Sequence, residues 1–144
     1  MDRILGIDYG KKRTGVAVSD PLGIFATPLE TVPSTDIVNY IKNYTQKERV
    51  SAVVVGYPLN MNNTPSEGAR FVDQFLNLLK KHFPSLTVVL EDERFTSKMA
   101  FQTMIDGGVK KMERRDKSMV DKISAAIILQ SYLDRKVIEK ERLI

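Results

Sequence analysis

The sequence predicts an α/β domain built on a mixed five-stranded sheet with helices on both faces. Three observations predict it. The first three strand-like segments follow one another with no room for helices, so they form an antiparallel meander. Strand-like and helical segments then alternate, the pattern of crossover connections. A long amphipathic segment follows the last strand.

Ile4 to Asp8 reads as a buried strand ending in a carboxylate. Alternate strand residues share a face, so Ile4, Gly6 and Asp8 point one way and Leu5, Ile7 and Tyr9 the other. Gly6 leaves space beside Asp8. Gly10 to Arg13 is a tight turn, Thr14 to Ser19 alternates like a second strand, and Ala26 to Val32 is a weaker third. Asp36 to Glu48 has helical periodicity. Ala52 to Gly56 is a short β-branched run, typical of a strand buried on both faces. A polar loop, Tyr57 to Asn63, leads to Thr64-Pro65-Ser66-Glu67. This reads as a helix start with a capping box, for a helix running to about His82. Thr87 to Leu90 is the fifth strand and opens into Glu91-Asp92-Glu93-Arg94. Thr96 or Ser97 caps a further helix that stops at Gly107-Gly108. Val109 to Lys117 is basic with no apolar stripe and is predicted to be a mobile loop. Ser118 to about Lys136 is the final amphipathic helix.

The 144 residues fit one domain, 1–144, with no internal repeat, linker or low-complexity segment. At 42% hydrophobic and 28% charged the chain can bury a core and is not a disordered tail. It has no cysteine, which excludes disulfides and thiolate metal sites and suits a reducing compartment. No stretch approaches the roughly 20 apolar residues needed to cross a bilayer, and the N-terminus does not read as a signal peptide. A cytoplasmic protein without membrane partners is expected. The net charge of +4 is unevenly spread. Lys11, Lys12 and Arg13 contribute three positive charges, and the stretch Lys110–Lys117 a net three more, leaving the remainder at −2. Such patches suit an anionic ligand, with nucleic acid the first candidate, although charge runs are also ordinary solvated loops.

Three carboxylates are candidates for chemistry, and each has a plain structural explanation. Asp8 ends a strand, where it can cap a turn. Glu93 belongs to an acidic cluster that Arg94 can serve. Asp121 lies near a helix N-terminus, where an acid complements the dipole. Together they mean more. If the sheet brings them within about 5 Å, each ionised pair repels by about 3 kcal/mol at an effective dielectric near 20. Such a cluster persists by taking up a proton or a divalent cation. All-oxygen donors favour Mg²⁺ or Mn²⁺, and one or two such ions can activate water on a phosphodiester. The lone histidine, His82, sits among lysines at a helix end and reads as surface.

The run Gly6-Ile7-Asp8-Tyr9-Gly10-Lys11-Lys12-Arg13-Thr14-Gly15-Val16-Ala17-Val18-Ser19-Asp20 closely resembles the opening motif of the YqgF family, also called RuvX. Gly56-Tyr57-Pro58-Leu59 resembles the family's loop after strand four, and Asp92-Glu93-Arg94 with Thr96-Ser97 its acidic motif. Lys117, Asp121, Ala125-Ala126 and the run Ile128 to Leu133 resemble its C-terminal helix. The similarity spans Ile4 to Leu133. It implies a ribonuclease-H-like fold related to RuvC-type resolvases, with Asp8, Glu93 and Asp121 as catalytic metal ligands. It also implies a metal-dependent hydrolase, an endonuclease on structured nucleic acid, with the 5′ end of precursor 16S ribosomal RNA as the favoured substrate and branched DNA as the alternative. Lys11, Lys12, Arg13, Arg94, Lys110, Lys111, Arg114, Arg115 and Lys117 would flank the carboxylates and bind phosphates.

Two positions depart from the pattern. RuvC-type enzymes tend to carry a further Asp three places after the helix carboxylate, where this chain has Ser124, which leaves the number of ions open. The loop after strand four reads Asn62-Asn63-Thr64, without the usual Gly before its Thr. Two other classes stay open. The Asp8–Gly15 turn also resembles the first phosphate loop of the actin and sugar-kinase group, but those proteins need two lobes. A non-catalytic nucleic-acid-binding module would keep the basic patches without using the carboxylates. A monomer and a homodimer are equally compatible with the sequence.

Overall fold

The computed structural model describes residues 2–60, 62, 64–93 and 117–142. Its strands are β1 (Arg3–Tyr9), β2 (Arg13–Ser19), β3 (Ala26–Pro33), β4 (Val50–Tyr57) and β5 (Thr87–Asp92). They form one sheet in the order β3-β2-β1-β4-β5. β1, β2 and β3 pair antiparallel, while β4 joins β1 and β5 joins β4 in parallel. This is the mixed five-stranded sheet expected. The five strands and the helix predicted over Asp36–Glu48 lie within two residues of their predicted bounds, the usual uncertainty at strand and helix ends.

The two faces of the sheet carry different residues. Leu5, Ile7, Val16, Val18, Val53 and Val55 pack against helices α1 (Ile37–Lys47) and α2 (Ala69–His82) through Ile37, Ile41, Val72, Phe75 and Leu79. Phe75 is fully buried and its ring stacks on Tyr9 at 4.5 Å. On the other face lie Ala17 and Val54, covered by helix α3 (Lys117–Arg142) through Ala125, Ala126, Ile128 and Leu129. β4 is buried on both sides from Ala52 to Gly56, as its β-branched run predicts.

Helix α3 has 26 residues, about 39 Å at 1.5 Å per residue, and touches all five strands. It continues beyond the predicted stop at Lys136, and Lys117 opens the helix rather than closing a loop. Thr31 on β3 donates a hydrogen bond to the Ser118 carbonyl. Gln130 accepts one from the Ala26 amide at 2.8 Å and donates one to the Ile24 carbonyl at 2.9 Å. At the opposite edge Arg135 pairs with Glu91 on β5.

The predicted capping box at Thr64 does not form. α2 begins at Ala69, after Gly68, without a side-chain cap. The preceding loop uses Thr64 itself. Its amide and hydroxyl both donate to the Asn62 carboxamide oxygen, and its carbonyl accepts from the Asn60 amide. Pro65 bridges to Leu59, so these local bonds outcompete a helix start. The helix predicted from Thr96 or Ser97 to Gly108 and the basic loop over residues 109–116 lie outside the described residues.

The covering helix lies so close that Gly15 has no room for a side chain. A Cβ there would fall 1.9 Å from the Asp121 carbonyl oxygen. Backbone on both sides leaves nothing flexible to yield, so Gly15→Ala is expected to destabilise the fold by about 3 kcal/mol or more, the upper range for overpacking. The urea midpoint should fall while the slope of the transition stays unchanged.

Candidate functional site

Asp8 ends β1 on the face covered by α3. Its partner across β1 and β2 is Gly15, the residue against which the Asp121 backbone presses. Sheet register and helix approach together therefore set Asp121 beside Asp8. Glu93 follows β5, and its amide donates to the Tyr57 carbonyl at 3.3 Å, which continues the β4–β5 ladder. Gly56 on β4 then lets the Glu93 side chain fold inward. A Cβ at Gly56 would lie 2.7 Å from Glu93 Oε2 and 2.5 Å from the Ile128 side chain.

Asp8 and Glu93 are hydrogen-bonded to each other, which two carboxyl groups do only by sharing a proton. Loss of solvent is the main reason both titrate high. Burial pushes Glu93 up to about 9, with the negative charge of Asp8 adding to it. Burial raises Asp8 as well; the bond from Glu93 works in the opposite direction, and the charge of Asp121 adds a further rise. Glu93 is thus the donor and Asp8 the acceptor.

Asp121 reaches Asp8 by its charge while its side chain is held elsewhere. Its Oδ2 accepts a hydrogen bond from Arg13 Nε at 2.9 Å. The structure therefore brings Asp8 and Glu93 into contact and leaves the third predicted carboxylate alongside, turned to an arginine. Among the described residues, no three acidic or histidine side chains already stand as a cation site. The donor chemistry nevertheless suits one. Two partly buried carboxyls hold a proton that a hard divalent cation would replace, and their oxygens are the ligands Mg²⁺ and Mn²⁺ prefer.

The turn between β1 and β2 is fixed from below. Ser34 donates to the Gly10 carbonyl at 2.6 Å, Thr14 shares a 2.8 Å hydrogen bond with Ser34, and the Ser34 amide donates to the Lys12 carbonyl. These bonds hold the basic turn next to Asp8. Lys11 and Lys12 are exposed, and the Lys11 ammonium lies over the Phe71 ring at 5.5 Å. Lys117 is exposed at the start of α3. Arg94, Lys110, Lys111, Arg114 and Arg115 lie outside the described residues. His82 is exposed and lines a cavity with Asp2 and Arg49, residues flanking the opposite ends of the strands. The sequence gives no hint of the Ser34 support or of the bond between Arg13 and Asp121, because the partners are far apart in the chain.

The shared proton makes stability depend on pH. The folded chain holds a proton that an unfolded glutamate releases near its ordinary value of 4.5. Stability is therefore undiminished below that value and is lost as pH rises towards about 9. In chelator, the melting temperature should fall steadily across this window, and Glu93→Gln should weaken the dependence.

Comparison with known proteins places the chain in a family and a fold. The family described as "RuvX: Holliday junction resolvase" matches residues 2–135. A protein of Phocaeicola vulgatus named "Putative pre-16S rRNA nuclease" is 54% identical over 136 residues, covering 94% of this chain and 98% of its own. A Flavobacterium johnsoniae protein of the same name is 49% identical over 136 residues, covering 94% and 99%. Among solved structures, Thermus thermophilus RuvC in complex with a Holliday junction substrate superposes with a TM-score of 0.59 at 20% identity, over 95% of this chain and 96% of that one. Fowlpox virus resolvase superposes with a TM-score of 0.57 at 10% identity, over 92% and 97%. These two likenesses establish a shared fold, the ribonuclease-H-like arrangement of RuvC. With the family matched across nearly its whole length, the chain belongs to the RuvX family.

Proposed function

We propose that this chain is a divalent-metal-dependent nuclease of the cytoplasm that hydrolyses phosphodiester bonds in structured RNA, with the 5′ end of precursor 16S ribosomal RNA as its substrate. The observation that carries the reading is the convergence of the Asp8 and Glu93 carboxyl groups, with Asp121 alongside, in a partly buried site beside the basic β1–β2 turn. A fold gains nothing from burying two acids against each other unless something replaces the proton. The names of the curated relatives support the substrate. None of the described helices is long and apolar enough to cross a membrane.

In this reading Asp8 and Glu93 would hold the cation, and Asp121, now bonded to Arg13, would be the third carboxylate available to it. When bound, the cation supplies Lewis-acid polarisation of the phosphoryl group and lowers the pKa of its water. The chain's own residues do the rest. Lys11 and Lys12 bind phosphates flanking the bond to be cut, and Arg13 can exchange Asp121 for a phosphate oxygen, since its guanidinium suits either. The covering helix keeps bulk water from the acidic pair, which strengthens every charge interaction inside. No motif of the sequence reads base edges, so recognition falls on backbone and shape.

A cleavage assay on a precursor 16S fragment and a four-way DNA junction, side by side in Mg²⁺ or Mn²⁺, tests the proposal. RNA cleavage is expected, falling to the metal-free level in Asp8→Asn and in excess chelator. Unchanged cutting in either condition would refute the metal mechanism. Cutting of the junction alone would transfer the activity to branched DNA, the substrate in the family's description. The phosphate role of the turn has its own measure. Lys12→Ala should weaken binding to all sequences alike and reduce the slope of log affinity against log salt by about 1.

A further inference from the structure

Ser124 is fully buried on α3, and its hydroxyl has no hydrogen-bond partner. Among the described residues it is the one buried side-chain polar atom in that condition. A helical serine ordinarily turns onto the carbonyl of the preceding turn, and this one does not. Burying a hydroxyl unpaired opposes folding. An alanine would fit the same place at no such cost, as it does at the neighbouring Ala125 and Ala126. The described part of the fold therefore has no use for the oxygen, and none of the described residues supplies its partner.

The position of Ser124 says where that partner sits. Residues 121, 124, 125 and 128 share one side of the helix. The Asp121 carbonyl rests against Gly15 on β2, and the Ile128 side chain against Gly56 on β4, where Glu93 Oε2 also lies. β1 runs between those two strands, and its Asp8 is paired with Gly15. Ser124 lies between Asp121 and Ile128 along the helix, so it stands over the end of β1, where the carboxyl pair is. A buried water is kept only where two to four polar groups meet it. The Ser124 hydroxyl and the carboxylate oxygens of Asp8 and Glu93 provide that number.

We propose that the Ser124 hydroxyl is a positioning group of the acidic site, holding a water molecule that arrives with a divalent cation bound by Asp8 and Glu93. The inference rests on the reading of that pair as a cation site. It gives α3 a second contribution to the site besides Asp121, made by a neutral oxygen that adds no charge repulsion.

The test uses the full chain, wild type and Ser124→Ala, with Mn²⁺ as the probe. Mn²⁺ affinity is measured by titration, and the melting temperature is measured in chelator. The expected result is a melting temperature in chelator equal to or above that of the wild type, together with Mn²⁺ binding about tenfold weaker, the scale of a lost supporting contact at a metal. A lower melting temperature in chelator would overturn the inference, since the hydroxyl would then serve the fold. Equal Mn²⁺ affinity in both proteins would overturn it alone and leave the metal site standing. Failure of the wild type to bind Mn²⁺ would overturn both. The assay does not rely on cleavage, so an error about the substrate leaves the result readable.

Discussion

The fold and the acidic site both depend on how closely α3 can approach the sheet. On the face towards α1 and α2 the strands present Leu5, Ile7, Val16, Val18, Val53 and Val55, a layer of large side chains that keeps those helices at ordinary packing distance. On the other face the same strands present Gly6, Gly15, Ala17, Ala52, Val54 and Gly56. There the helix backbone itself reaches the sheet, with the Asp121 carbonyl where a Gly15 side chain would be. The space that the sequence suggests beside Asp8 at Gly6 is filled by Leu129 and the Ala125 carbonyl. The seated helix screens Asp8 from bulk solvent, which explains why burial dominates the titration of Asp8.

Once the helix is seated, three acidic groups compete for stabilisation in one poorly solvated corner, and each finds a different answer. Glu93 keeps its proton. Asp8 accepts that proton as a hydrogen bond. Asp121 takes the guanidinium of Arg13. The arrangement is complete without a ligand, yet each part can be exchanged. Under the proposed function a cation would displace the proton and a phosphate would draw Arg13 away, so each would favour a state in which Asp121 is free to turn inward.

Much of this was legible in the sequence. The β-branched run Ala52–Gly56 marks a doubly buried strand, alternation in β1 assigns Asp8 to one face, and the order of strands and helices implies a mixed sheet. Those features depend on local periodicity. The start of α2 was not legible, because Asn62 offers Thr64 a nearby acceptor that a capping pattern does not register. The partner of Arg13 was hidden for another reason. Asp121 is 108 residues further on, and no local rule distinguishes a phosphate-binding arginine from one that holds a distant carboxylate. The contact between Asp8 and Glu93 depends on β4 lying between β1 and β5, which the element order permits but does not dictate. Ser124 was visible as a departure from the RuvC pattern, but only its burial reveals that its hydroxyl lacks a partner.

That separation along the chain also bears on synthesis. β1, β2 and β3 can pair as soon as they leave the ribosome, and α1, β4 and α2 can cover one side of them. The other side, with Asp8 on it, stays open to solvent until α3 has been made. Until then the emerging chain carries a lone, hydrated strand-end aspartate and a basic turn free to touch RNA. Under the proposed function, the hydrolytic centre would therefore be assembled only after α3 has been made, and not while the sheet alone is exposed.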